Sequence, residues 1–325
     1  MKELTKASLL VLALITMLSL ASCGKSEKSA NINPSNGKRI VKIAYLPLTH
    51  ALPLFIEKES SLGGFPNFEL ELVKFGSWPE LLDALNTGKV DGASVLVELA
   101  IKAKEQGIDL KAVALGHRDG NVVIVSKDIN SARDLKGKTF AIPHRLSSHN
   151  ILLHIMLKKS GLSISDVKVI ELPPPEMPAA LSEGRISGYA VAEPFGAKSV
   201  ILGKGKVLYK SEDLWIDSVC CALVLRNEFI TKERTAAREF VNFYAKAGLK
   251  ADSKDYDVFK ISSKYMKVDK NVLTQSLKWI SYSDLNIKSG DYESLSSYLT
   301  EMKLIKNPPA YQDFVDNTLM GDAAK

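Results

Sequence analysis

Several short stretches of this chain pair a hydroxyl, an imidazole or an indole with the turn that opens a helix, which is chemistry suited to holding a small anion. The segment HRLSSH at 144–149 brings Ser147, Ser148 and His149 to a helix start. A helix N-terminus leaves backbone N–H groups unpaired and carries partial positive charge, so a loop of this kind fits an oxyanion. His149 adds a donor that can become cationic. The plainer alternative makes Ser147 or Ser148 an N-cap and His149 a first-turn surface residue. In GSW at 76–78, Trp78 follows Gly76 and Ser77 and precedes Pro79, which is placed at a first helical position. An indole there is either a flat wall with one N–H or a packing residue. Thr49 and His50 occupy the equivalent loop of the first unit. Gly120 and Asn121 offer a backbone N–H and an amide, or form a plain turn. Glu193, followed by Pro194 just past a strand end, would repel an anion, bind a cationic amine or anchor a hinge, and the hinge is the favoured reading.

Other chemistries are not expected. His149 and His154 share a helix but lack the i, i+4 spacing that puts two metal ligands on one face, so no metal is expected there. Cys220 and Cys221 are adjacent, cannot build a disulfide framework, and read as small buried apolar residues. There is no Gly-x-Ser-x-Gly elbow and no zinc-ligand spacing, which argues against an enzyme, and no cofactor is expected. The formal charge of +6 is mild, and the lysines are spread without an arginine-rich run, so a nucleic-acid partner is not expected.

The elements that must position these residues alternate β-branched runs with helical stretches, as in a mainly parallel sheet covered by helices. A first set places strands at 40–46, 68–74, 91–95 and 111–115, with helices at 51–59, 79–87 and 96–106. A second set follows the strand at 121–126. It opens on a capping box at 131–134, places strands at 139–142, 167–171, 188–192 and 207–209, and has helices at 148–160, 178–183 and 195–202. The runs 121–126 and 219–225 bracket this second set and are candidates for crossings between two lobes. Helical pattern dominates after that.

At the N-terminus, Lys2 and Lys6 precede an apolar run at 7–20 that closes on Leu20, Ala21, Ser22 and Cys23. The run is shorter than the roughly 20 residues a spanning helix needs, and it reads as a secretory signal over 1–22. The leucine, small, small, cysteine pattern resembles that of bacterial lipoproteins and implies a diacylglycerol on Cys23, which would hold an exported protein on the cell membrane facing the periplasm or the exterior. The segment 23–38, rich in Ser, Asn, Lys and Gly, is expected to serve as a flexible tether.

Taken in order, YLPLTHALPL at 45–54, GSW at 76–78, KVDGAS at 89–94, HRLSSH at 144–149 and AEPF at 192–195 resemble the ABC substrate-binding proteins of the nitrate, bicarbonate, sulfonate, taurine and thiamine-precursor group. The resemblance implies a type 2 periplasmic-binding-protein fold. In it, lobe one comprises 39–122 and 222–325, lobe two comprises 123–221, and ligand sits in the cleft at the hinge. It also implies that Thr49, His50, Trp78, Ser147, Ser148 and His149 line that cleft. Phe195 departs from the tryptophan that nitrate and bicarbonate binders carry at this place. The expected ligand is a sulfonate or related organic anion, ahead of inorganic oxyanions and thiamine precursors. The expected partners are the permease and ATPase subunits of an importer, with the protein itself a monomer. A ligand-sensing surface lipoprotein is the alternative.

Overall fold

A computed structural model of the chain describes residues 32–60 and 64–321, and residues 40–325 form one unit. The expected signal segment, Cys23 and the expected tether as far as residue 31 lie outside the described residues; residues 33–37 make a turn closed by a bridge between Ile32 and Arg39.

Two five-stranded sheets organise the rest. The first runs β2 (Phe68–Lys74), β1 (Arg39–Tyr45), β3 (Gly92–Leu96), β11 (Cys221–Arg226), β4 (Leu110–Leu115). The second runs β10 (Lys206–Lys210), β6 (Asn121–Val125), β9 (Gly188–Ala192), β7 (Thr139–Ile142), β8 (Lys168–Glu171). In the first sheet β1 and β3 are parallel, while β11 runs against both β3 and β4. The second repeats the scheme: β7 is parallel to β8 and β9, while β6 runs against β9 and β10. The two reversed strands are those that begin where the chain passes from one sheet to the other. β3, β6 and β9 are buried along their whole length, as continuous apolar runs covered on both faces require.

Because β6 and β11 run backwards, their first residues lie at the same edge as the carboxyl ends of the strands beside them, where open α/β sheets place their ligands. That edge of the first sheet collects the turn Thr49–Ala51 after β1, the helix Trp78–Asn86 after β2, the helix Val97–Glu105 after β3, His117 after β4, and Cys220 and Cys221 at the start of β11. The same edge of the second sheet collects Asn121, the helix Ser148–Lys159 after β7, and Glu193 after β9. A short pair, β5 (Arg118–Asp119) with β12 (Ile280–Ser281), ties the outgoing crossing to the C-terminal half.

The helices form where the sequence supplies start signals. Ser131 and Asp134 close a reciprocal capping box around a short 3-10 turn, Ala132–Leu135. Trp78 is itself the first residue of its helix and Pro79 the second, where a missing N–H costs nothing. Pro178 plays the same part in Met177–Ser182. The C-terminal half supplies structural props: from the helix Arg234–Asp252 the Tyr244 hydroxyl donates to Leu115 O at 3.2 Å, and from the segment after β12 the Tyr282 hydroxyl donates to Thr49 O at 2.8 Å. Arg118 donates to Asp284 O and Asn286 O and pairs with Asp291 at 3.1 Å, which fixes the segment beside His117.

Gly120 sits at φ +78° in the crossing, and a Cβ there would meet Ile280 at 2.8 Å. Gly137 has a similar φ of +75° with open space around it. Gly120→Ala should therefore cost about 2–3 kcal/mol, strain and overlap together, and Gly137→Ala only about 1 kcal/mol of strain. Thermal denaturation of the two variants side by side checks the difference.

Candidate functional site

The two crossings lie against each other. Cys220 Sγ donates to Asn121 Oδ1 at 3.6 Å, so the strand entering the second sheet touches the strand returning from it. His50 closes the same corner, with Nε2 at 3.4 Å from Gly120 O and Nδ1 at 3.4 Å from Cys221 Sγ. The His50 and His117 rings lie with centroids 3.5 Å apart, tilted by 31°. All of these residues are buried.

Thr49 joins the halves through its neighbour. Its N–H and its Oγ1 each donate to Glu193 O at 3.0 Å, while the Glu193 N–H donates to Gly120 O at 3.3 Å. The Glu193 carboxylate accepts from Ala197 N at 3.1 Å through both oxygens, and from Ser276 Oγ at 2.7 Å. Thr49 and Glu193 thus spend their polar atoms inside the protein, linking the first loop, the end of β9 and the C-terminal helix Lys270–Lys278. Ser147 is likewise occupied: it is the N-cap of its helix, accepting from Asn150 N at 3.2 Å and donating to His144 O at 2.6 Å.

Other expected site residues are buried with polar atoms unspent. Among the described residues, Trp78 Nε1, Asn121 Nδ2, Ser148 Oγ and both nitrogens of His149 have no hydrogen-bond partner, nor has either nitrogen of His117, which the sequence did not single out. His149 is not a surface residue; it is 1% exposed. Ser77 stands apart: it is half-buried, caps its helix in position only, and makes no side-chain cap bond.

Burial also changes the charges. It holds the His149 imidazole below its ordinary value, so the expectation of a cationic donor gives way to a neutral one. His50 is pushed down to about 4, by burial first and by His117 next. Burial would raise the Cys220 thiol, but the Cys221 thiol and the imidazoles of His50 and His149 together hold it well below its usual range, while Cys221 goes up. The pair is thus buried as small apolar residues are, yet polarised and hydrogen-bonded. Burial and then Cys220 keep the Glu98 carboxyl, in the first turn after β3, well above the carboxylate range.

Sequence reasoning missed His117, Ser276 and Tyr282; it read the cysteines as small buried residues, which they are, without their hydrogen bonds to His50. His117 had a usable signal, since with Gly116 it directly follows an apolar strand at its carboxyl end. Ser276 and Tyr282 had none.

Burial pushes Glu193 up to about 7 against the hydrogen bonds from Ser276 and Ala197, which act to lower it. A carboxyl protonated more readily in the folded than the unfolded chain loses stability as pH rises from its ordinary value near 4.5 through about 7, after which the loss is complete. Denaturant titrations at pH 5 and pH 8 should show the wild type losing up to about 3 kcal/mol more across that window than Glu193→Gln. Equal slopes would contradict the assignment.

Comparison with known proteins places this geometry in a lineage. The chain is similar to the ligand-binding component of an ABC-type import system from Staphylococcus aureus, described with zinc bound: 43% identity over 88% of this chain and 99% of that one, with a TM-score of 0.84. It is 32% identical over 183 residues to the taurine-binding periplasmic protein of Escherichia coli, covering 55% of each. It is 28% identical over 213 residues to a nitrate import ATP-binding protein of Synechocystis, covering 58% of this chain and 32% of that one. The chain therefore spans about half and about a third of the length of these two curated relatives. Residues 35–257 match the profile of the NMT1-like family, and the chain belongs to that family.

Proposed function

We propose that this protein is the solute-binding component of an ABC importer, catching a small anion in the cleft between its sheets and handing it to a permease. One observation carries the reading. The loop edges of both sheets bury donors, Trp78 Nε1 and Ser148 Oγ among them, that no protein group satisfies. A buried polar group left unpaired costs about 1–3 kcal/mol, so a ligand that accepts from these groups recovers that cost on binding. The neutral histidines supply donors without fixed charge, which suits reversible capture. A sulfonate or related organic anion is the favoured ligand, consistent with the taurine-binding relative, and nitrate follows from the nitrate-import relative. The Staphylococcus relative is described with zinc bound, which is consistent with a metal ion among the ligands of this protein.

In this reading 39–122 with 222–325 and 123–221 are the two lobes. They move about the crossings at Gly120 and Cys220, with Thr49 and Glu193 as the latch. The relatives are binding proteins and import components by name, and the protein acts as a binder, not an enzyme. Export through the N-terminal signal and acylation of Cys23 keep it beside its permease and ATPase as a monomer. Among the described residues no helix is long and apolar enough to cross a membrane.

A panel of taurine, alkanesulfonates, nitrate, bicarbonate and thiamine precursors tests the ligand. At a hundred times its Kd a true ligand stabilises by about 2.7 kcal/mol, a rise of roughly 5 °C in Tm. Trp78→Ala and His149→Ala should each weaken it by about 10- to 100-fold. Unchanged binding in both would refute the site, and catalytic turnover of the ligand would return the protein to the enzymes. Separately, Cys23→Ser should abolish acyl labelling in cells and release the protein from the membrane fraction.

A further inference from the structure

We propose that His50, His117, Cys220 and Cys221 form a tetrahedral binding site for a thiophilic metal ion, zinc being the divalent case. The inference rests on the reading of this cleft as the ligand site and names a metal ion among what it holds.

The donor atoms of these four residues all lie within 4.8 Å of one another, and all four side chains are buried. His50 Nδ1, Cys220 Sγ and Cys221 Sγ form a triangle with sides of 3.4 Å, 3.7 Å and 3.8 Å. A tetrahedral zinc with Zn–S of about 2.3 Å and Zn–N of about 2.0–2.1 Å separates two sulfurs by about 3.8 Å and a sulfur from a nitrogen by about 3.5 Å. The triangle therefore matches one face of a zinc tetrahedron without any side chain moving far.

Thiol-to-imidazole hydrogen bonds alone would account for three of these groups. They leave His117 unexplained: its ring lies 3.5 Å from that of His50, centroid to centroid, and neither of its nitrogens has a partner. A buried imidazole with two unspent nitrogens, beside two thiols and a second imidazole, lacks an acceptor of its lone pair, and a metal is that acceptor. Sulfur with nitrogen donors in this number selects zinc or another thiophilic ion over magnesium or calcium.

The charges also close. A divalent ion displaces the two thiol protons, which leave to solvent, and two thiolates with two neutral imidazoles then give a site of zero net charge, the one arrangement of ion and ligands that burial tolerates well. The ligands come from the turn after β1, the end of β4 and the start of β11, so three strands of one sheet hold the ion, and Val97 N donating to Cys220 O at 2.8 Å fixes the cysteine backbone. The sequence hid this because His50, His117 and the adjacent Cys220 and Cys221 lie far apart along the chain, with no recognisable ligand spacing between the histidines and the cysteine pair.

The test uses the reduced, metal-stripped mature chain and metal alone, with no anion and no transporter, so that it stands or falls apart from the anion panel. Incubation with Zn2+ followed by desalting should leave one zinc per chain. Cys220→Ser and His117→Asn, checked for folding by circular dichroism, should each weaken retention by about 100-fold or more against a chelator. Co2+ in the unmutated chain should give thiolate-to-cobalt charge transfer and the intense visible bands of a tetrahedral site, which decides the matter even if the variants fail to fold. No retained zinc, retention unaffected by both substitutions, or a cobalt spectrum without thiolate bands would overturn the proposal.

Discussion

Polar groups taken out of water must find partners, and the junction of the two sheets takes out more than it can satisfy. An unpaired buried donor or acceptor costs about 1–3 kcal/mol, and Trp78 Nε1, Asn121 Nδ2, Ser148 Oγ and the rings of His117 and His149 share that condition. A core built only for stability would have replaced them with apolar side chains of similar size. Their gathering at one edge of both sheets is the observation on which the proposed binding surface rests.

The reversed strands explain why they gather there. β6 and β11 each begin at a crossing, so Asn121 and Cys221 face the carboxyl ends of the parallel strands, which already present His50, Trp78, His117 and Ser148. Thr49 and Glu193 then link the edges through backbone and side-chain hydrogen bonds, and Ser276 and Tyr282 brace that link from the C-terminal half. Burial also keeps His50 and His149 neutral, so in the proposed site they offer donors and lone pairs and no fixed positive charge.

Much of this was readable in the residues. The apolar runs at 139–142 and 188–192 coincide with β7 and β9, because covered strands need near-continuous apolar stretches, while the alternating run at 68–74 coincides with β2, an edge strand with exposed residues. The capping box at Ser131 and the prolines at 79 and 178 marked helix starts for local reasons that tertiary contacts did not override. What stayed hidden depends on distance along the chain. Two adjacent cysteines look like packing until His50, some 170 residues earlier, is seen at 3.4 Å. Ser147 looks like a ligand until its N-cap bond is seen. No periodicity announces that Tyr282 will reach Thr49.

The central claim is that the loop edges of both sheets enclose one crevice whose unspent polar atoms wait for a guest. A crystal structure of the mature protein at a resolution that shows bound groups tests it most directly. The account predicts density between the sheets in contact with Trp78 Nε1, Ser148 Oγ and His149. It is contradicted if those atoms pair with protein groups of their own lobe, or if the two edges face separate surfaces with nothing between them.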